Sequence, residues 1–369
     1  MSVPPAESAA RTSEHSEAGA GLGYVQAVPE ATTARWGRRD LLRLGLALPV
    51  LAGCSASPAV APRPGTSGGT APTTTQGPSP APSPAPSLPA AAVAELTLSA
   101  FAGAVLSGTH RKDLSGGQRR LLTFLRAAHA DHGSVLASAD PTARPTSGGH
   151  PPSAKAPNLK GLSLEDALER LARQEATQAA AQRRTAASAK GLAALLSGSL
   201  AVAADSYAAA LGASDPPSVS ATKARKPAAL LADVAAVQQL VAQLHAVVFG
   251  YQLAIGKLKY ASSARKRAVS ELAAARSLLD TQIGFLLDHK ADVPAAEPAY
   301  APSFAVRAPG DATRLVRTMQ ARLEPFVGLT LASAGTAAAR RQALALLTTT
   351  SRRARSWGAP LQAWPGWPD

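Results

Sequence analysis

Two of the seven histidines in this 369-residue chain stand three positions apart, in His129-Ala-Asp-His132. On a helix that spacing puts both imidazoles on one face, so the pair could share a metal ion with Asp131 as a further donor. A zinc site needs three or four protein ligands, and half of that set is not evident nearby. The sequence reading therefore sets His129 and His132 on a solvated helix end beside Gly133, where an imidazole favours the helix dipole. His245 is read as a hydrogen-bonded interior or boundary histidine rather than a base. A di-iron carboxylate centre requires inward carboxylates and a Glu-x-x-His pair from each of two helices. No Glu in the chain has His three positions later. The nearest, Glu175-Ala-Thr-Gln178, offers an amide in place of the imidazole. Glu324, alone beside Pro325, reads as a surface or turn-breaking residue. The resulting expectation is no catalytic residue, no cofactor and no metal, with His129, His132 and His245 as the remaining metal candidates.

Other chemistries are absent in the same way. Ser115-Gly-Gly opens a helix and is no phosphate loop, because no Lys-Ser/Thr follows. Gly198-Ser-Leu is no nucleophile elbow. No nucleophile with an adjacent base is visible, which argues against a hydrolytic enzyme.

The remaining reactive group, Cys54, is explained by its surroundings. Arg38-Arg39 precede a short apolar run from Leu41 to Gly53 that ends at this single cysteine. The run is too short to span a bilayer, which takes about 20 residues, and the order charged, apolar, small is that of a cleaved export signal. Gly37 to Arg43 resembles the twin-arginine export consensus, with Gly37 for the hydroxyl residue, Leu41 for the aromatic and Arg43 for Lys. Leu51-Ala52-Gly53-Cys54 resembles a bacterial lipobox, which implies lipidation of Cys54. The expected location is the extracytoplasmic face of the cell membrane, lipid-anchored.

Residues 1–53 hold five arginines and five acidic residues, so the formal net charge of +14 belongs to the rest of the chain. Its basic residues come in pairs and triplets such as Arg183-Arg184 and Arg265-Lys266-Arg267, with few interleaved aromatics. Stacking platforms for nucleic acid are missing. A cationic coat facing an anionic lipid or cell-wall polymer is the simpler account. One cysteine excludes an internal disulfide, so packing must supply the stability.

The elements that position these residues follow from periodicity. Ten prolines between Ser55 and Pro89 make residues 54–92 a semi-rigid spacer. Beyond it the pattern is helical, with helices expected over about 92–107, 115–139, 163–188, 190–211, 230–258 and 262–289, a seventh from Asp311, and an eighth over 336–357. Leu230, Val234, Val237, Val241, Leu244, Val248, Tyr251, Ile255 and Leu258 form one unbroken apolar seam, widened by Leu240 and Val247. Val269, Leu272, Leu279, Ile283 and Leu286 are expected to point inward from the sixth helix. Asp311 is expected to cap the seventh, and Pro325 to kink it. No stretch alternates with period two. The reading is all-α: an extension and signal over 1–53, the spacer over 54–92, a helical bundle over 93–211, a linker over 212–226 and a second bundle over 227–369.

Leu244-His-Ala-Val-Val-Phe-Gly-Tyr251, Pro298-Ala-Tyr-Ala-Pro-Ser-Phe-Ala-Val306 and the Trp364-Pro-Gly tail resemble the DUF4439 family of actinobacterial lipoproteins. The resemblance covers residues 227–369 and implies a ferritin-like four-helix bundle with no established activity; the whole chain then reads as two successive four-helix units. Where the family places Glu, this chain has Leu244, on the apolar seam. Two functions follow. The first is a membrane-anchored, non-catalytic binding or envelope-organising module on a scaffold without a di-iron motif. The second is a metal or redox protein with non-standard ligands, His129, His132 and His245 contributing; three or more of these side chains converging would favour it, and an apolar bundle interior the first. A ligand-binding component of a transport system would need a cleft between the halves.

Overall fold

The computed structural model describes residues 88–143, 154–221, 225–226 and 228–368. Arg38, Arg39, Leu51, Ala52, Gly53 and Cys54 lie outside the described residues, as does most of the proline-rich spacer. Within the described residues the fold is all-α, with eight helices: α1 Ala90–Ser107, α2 Gly116–Ala137, α3 Leu164–Ser188, α4 Gly191–Leu211, α5 Asp233–Lys257, α6 Ser263–Asp288, α7 Pro309–Ser333 and α8 Ala337–Ser356. There is no strand among the described residues, only one isolated parallel bridge between Val219 and Leu361.

Local chemistry sets the helix starts. Ser115 accepts from the Gln118 amide while the Gln118 side chain accepts from the Ser115 amide, and Ser163 makes the same reciprocal pair with Asp166. Each box satisfies two amides that the helix itself leaves free. Asp311 does not cap α7 from outside. It sits one turn in, behind Pro309 at the first position, and its carboxylate accepts from the Arg307 and Ala308 amides. Helix α7 continues through Pro325 to Ser333.

The buried residues gather in two clusters. One takes Phe101, Leu122, Leu125, Leu171, Leu195 and Tyr207 from α1–α4 together with Leu361, Trp364 and Trp367 from the C-terminal tail. The other takes Val241, Leu244, Val247, Leu286, Val316 and Leu347 from α5–α8. Helix α4 is buried along most of its length because it packs on α3 and also against α7 and α8. Its Ala, Ser and Gly residues allow that approach: at Gly198 a Cβ would overlap Leu331 of α7. By length and composition α1, α4 and α5 are each apolar enough to cross a membrane; here each packs within a bundle.

Leu244 is fully buried, as its place on the seam requires, and Leu240 and Val247 are buried beside it. Leu230 precedes α5 and is exposed. Val269 is exposed as well, contrary to the expectation for α6. Leu279 and Leu286 are buried as expected, Leu272 and Ile283 pack partly buried against the second core, and Ala268, Glu271 and Ala275 complete the buried stripe. Glu271 is held inside by two donors, accepting from the Tyr251 hydroxyl and the Trp357 indole at 2.7 Å each.

The tail returns to the first bundle. Leu361 exchanges main-chain hydrogen bonds with Ser218 and Ser220, and Gly328 of α7 leaves room for the Gly366 carbonyl, which any Cβ there would strike.

Candidate metal centre

In α1, Glu95 is the single charged residue of eighteen, and it lies on the same stripe as Ala92, Leu96, Leu98, Ala102 and Val105, all buried. Helix α2 buries Leu121, Leu122, Leu125, Ala128, His129 and His132 on one face, so the 3.6-residue period turns both imidazoles inward. Helix α3 adds Glu175, on the stripe of Leu168, Leu171 and Ala179. The three faces meet, and the polar groups meet with them, each at most about 1% exposed.

His129 Nδ1 lies 2.7 Å from Glu95 Oε2, and its Nε2 lies 2.7 Å from Glu175 Oε1. A carboxylate only accepts, so both ring nitrogens of His129 must donate, and the ring is an imidazolium when protons alone fill the site. His132 Nε2 donates to the Ala363 carbonyl at 2.8 Å, while its Nδ1 stands 3.0 Å from Glu95 Oε2. The Gln178 amide donates to the other Glu95 oxygen at 3.1 Å. Glu175 Oε2 is buried without a partner among the described residues. Tyr207 of α4 closes the site, its ring edge-on to His129 and stacked on His132. Its hydroxyl donates to the Gln362 carbonyl.

The electrostatics follow from this sharing. Burial opposes the charge on His129, but the charge of Glu175 and the hydrogen bonds to Glu175 and Glu95 raise it to about 10. Burial would raise Glu95 too; two imidazoles donating to one carboxylate outweigh it and hold the group below the ordinary carboxylate range. Glu175 has only one imidazole and an orphaned oxygen, so burial wins and its carboxyl is pushed up.

Ligand atoms of Glu95, His129 and His132 all lie within 4.8 Å of one another. Two carboxylates facing two imidazoles in a dry interior need two positive charges, which two protons or one divalent ion supply. The donor set of two nitrogens and carboxylate oxygens suits zinc or a first-row divalent ion such as iron or manganese. His132 already carries the second interaction that orients a ligating imidazole, its far nitrogen being fixed by a main-chain carbonyl.

The sequence reading is corrected at several points. His129 and His132 are not on a solvated helix end; both are buried. Asp131 turns away and accepts from the Trp364 indole at 2.8 Å. His245, half-buried on α5, has Nε2 3.1 Å from the Pro294 carbonyl and no part in the cluster. Glu324 is buried rather than superficial, and burial pushes it up to about 8, against the opposing charge of Arg355. Glu175 and Gln178, noted only as an incomplete motif, both reach the site. Glu95 escaped notice, although an isolated acid in an otherwise uncharged helix was a usable signal.

Residues 236–369 match the family model described as a domain of unknown function, DUF4439. No curated protein matches. Among solved structures, a conserved hypothetical protein from Mycobacterium tuberculosis is 25% identical over 34% of this chain and 93% of its own, with a TM-score of 0.32.

Proposed function

Since residues 236–369 are a DUF4439 domain, whose description carries no activity, we propose that the function resides where that domain's tail meets the preceding bundle: the protein is a membrane-tethered, extracytoplasmic binder of one divalent transition-metal ion. Glu95, His129 and His132 hold the ion, and Glu175, against the far nitrogen of His129, orients that imidazole. The carrying observation is His132, whose Nε2 is committed to Ala363 while Nδ1 faces the Glu95 carboxylate. This reading takes the second of the two functions weighed from sequence and departs from the expectation of no cofactor. It keeps the anchor: Arg38-Arg39, the lipobox ending at Cys54 and the proline-rich spacer support export and lipidation.

A bound ion would supply a Lewis-acidic centre or, if iron or manganese, a one-electron couple. The chain's own part is to exclude water with Tyr207 and Trp364 and to exchange protons for metal. Metal entry must displace the Nδ1 proton of His129, so affinity rises with pH.

The test is metal analysis and calorimetric titration of the soluble protein with Zn²⁺, Fe²⁺ and Mn²⁺. One ion per chain is expected, with affinity reduced by about 100-fold or more in Glu95→Gln with His132→Gln, in line with the loss of two ligands. A wild-type chain that binds none of the three would leave the cluster as a proton-filled ion network with a purely structural role.

A further inference from the structure

On the far side of the tail from the metal centre lies a second site. A cleft of about 1070 Å³ opens between α7, the residues Ser220, Ala221, Arg225 and Lys226, and the tail. Among the described residues four cationic side chains line it, Arg225, Lys226, Arg317 and Arg322, and no acidic one does. Trp367 and Phe326 give it apolar walls. None of the four cations is ion-paired among the described residues, although Arg183 and Arg352 elsewhere on the surface both reach Asp205.

Arg225 carries the argument. It is only 4% exposed. Its Nη2 donates to the Pro141 and Ala143 carbonyls, and its guanidinium lies 4.0 Å over the Trp367 ring and 5.4 Å over that of Trp364. Its Nε and Nη1 are buried with no hydrogen-bond partner among the described residues. Asp131 and Asp140 act on it only at longer range, and burial pulls the guanidinium down to about 10. A buried guanidinium with spare donors is costly unless an acceptor completes it. With Nη2 committed to main-chain carbonyls, the guanidinium held flat against an indole still offers Nε and Nη1 as donors to separate acceptor oxygens.

We propose that this cleft binds a small polyanion through phosphate or carboxylate oxygens, with Arg225 as the fixed buried anchor and Arg317 and Arg322 as the peripheral clamps. It is a built pocket, distinct from the general positive coat of the chain. Gln362, Ala363 and Trp364 line it while holding Tyr207, His132 and Asp131 on their other side, so one short segment walls both sites.

The same oxyanion chemistry could come from a free anion or a phospholipid headgroup, and the experiment separates them. The full soluble chain, stripped of metal with EDTA and then exchanged into chelator-free buffer so that the metal reading plays no part, is titrated calorimetrically with pyrophosphate and with citrate. It is also co-sedimented with phosphatidylglycerol vesicles. Arg317→Gln with Arg322→Gln, at half-buried and exposed positions that leave the core intact, is compared with the control Arg183→Gln with Arg184→Gln. Saturable 1:1 binding of either anion, weakened about tenfold or more by the first pair and unmoved by the control, supports a free anion. Vesicle binding lost only in the first pair supports a headgroup. Absence of binding in both assays, or equal loss in both variants, overturns the proposal.

Discussion

The Nε2 of His132 donates to the main-chain carbonyl of Ala363 across 231 positions of sequence. A residue of the second helix is thus oriented by the end of the chain, and the two halves share one polar centre. Around that bond the tail is fastened three more times: the Trp364 indole to Asp131, the Gln362 carbonyl to the Tyr207 hydroxyl, and the Trp367 indole to the Lys226 carbonyl.

Trp364→Phe tests that fastening. The ring still packs against His132, but the donor to Asp131 is lost. Metal affinity should fall about 10-fold, as for other groups that orient a ligand from behind, and stability by roughly 0.5–1.5 kcal/mol. Calorimetric titration with thermal unfolding checks both; unchanged affinity would mean that the tail does not position His132.

The pH dependence of the metal-free protein has a defined sign. His129 is raised from 6.5 to about 10, so its contribution is complete below pH 6.5 and is lost as pH climbs through about 10. Glu95, held low, loses its contribution only as pH falls below the ordinary carboxylate range. Glu324, pushed from 4.5 to about 8, overlaps the window, so Glu324→Gln is the background of choice. Denaturant unfolding there should show stability declining from pH 6.5 to 10 in EDTA. The stabilisation added by metal should grow over the lower part of the same range, because fewer protons then compete.

Leu244→Ala should cost about 2–5 kcal/mol by leaving a cavity in the second core. Leu244→Glu should also destabilise at neutral pH, since burial opposes its charge. Added Zn²⁺ should stabilise Leu244→Glu no more than it stabilises the wild-type chain, because the metal centre lies in the other bundle. A large metal-dependent rise specific to Leu244→Glu in thermal unfolding would place a latent site on α5 instead.

Cys54→Ala should release the protein from the membrane fraction or leave it unprocessed. Fractionation and mass measurement decide, and mature-sized protein retained in membranes would count against lipid anchoring.

Periodicity alone determined a good deal of this molecule. The eight helices, the burial of Leu244 and the pairing of His129 with His132 on one face all follow from a 3.6-residue repeat, which is a property of each segment by itself. Even Glu175 and Gln178 were recognisable as a matched pair. What no segment carries is the identity of its neighbours. Glu95, His129 and Glu175 sit on three helices, and only the packing of α1, α2 and α3 turns a solitary acid, a histidine pair and an incomplete motif into one buried cluster. On α6 the inward Leu279 and Leu286 were legible, but Val269 is exposed and Glu271 buried, because Tyr251 and Trp357 bring that acid two hydrogen-bond donors. The return of Ala363 and Trp364 to His132 and Asp131 lay furthest from any local signal, since a contact spanning 231 residues is fixed by how the two bundles dock and not by the composition of either.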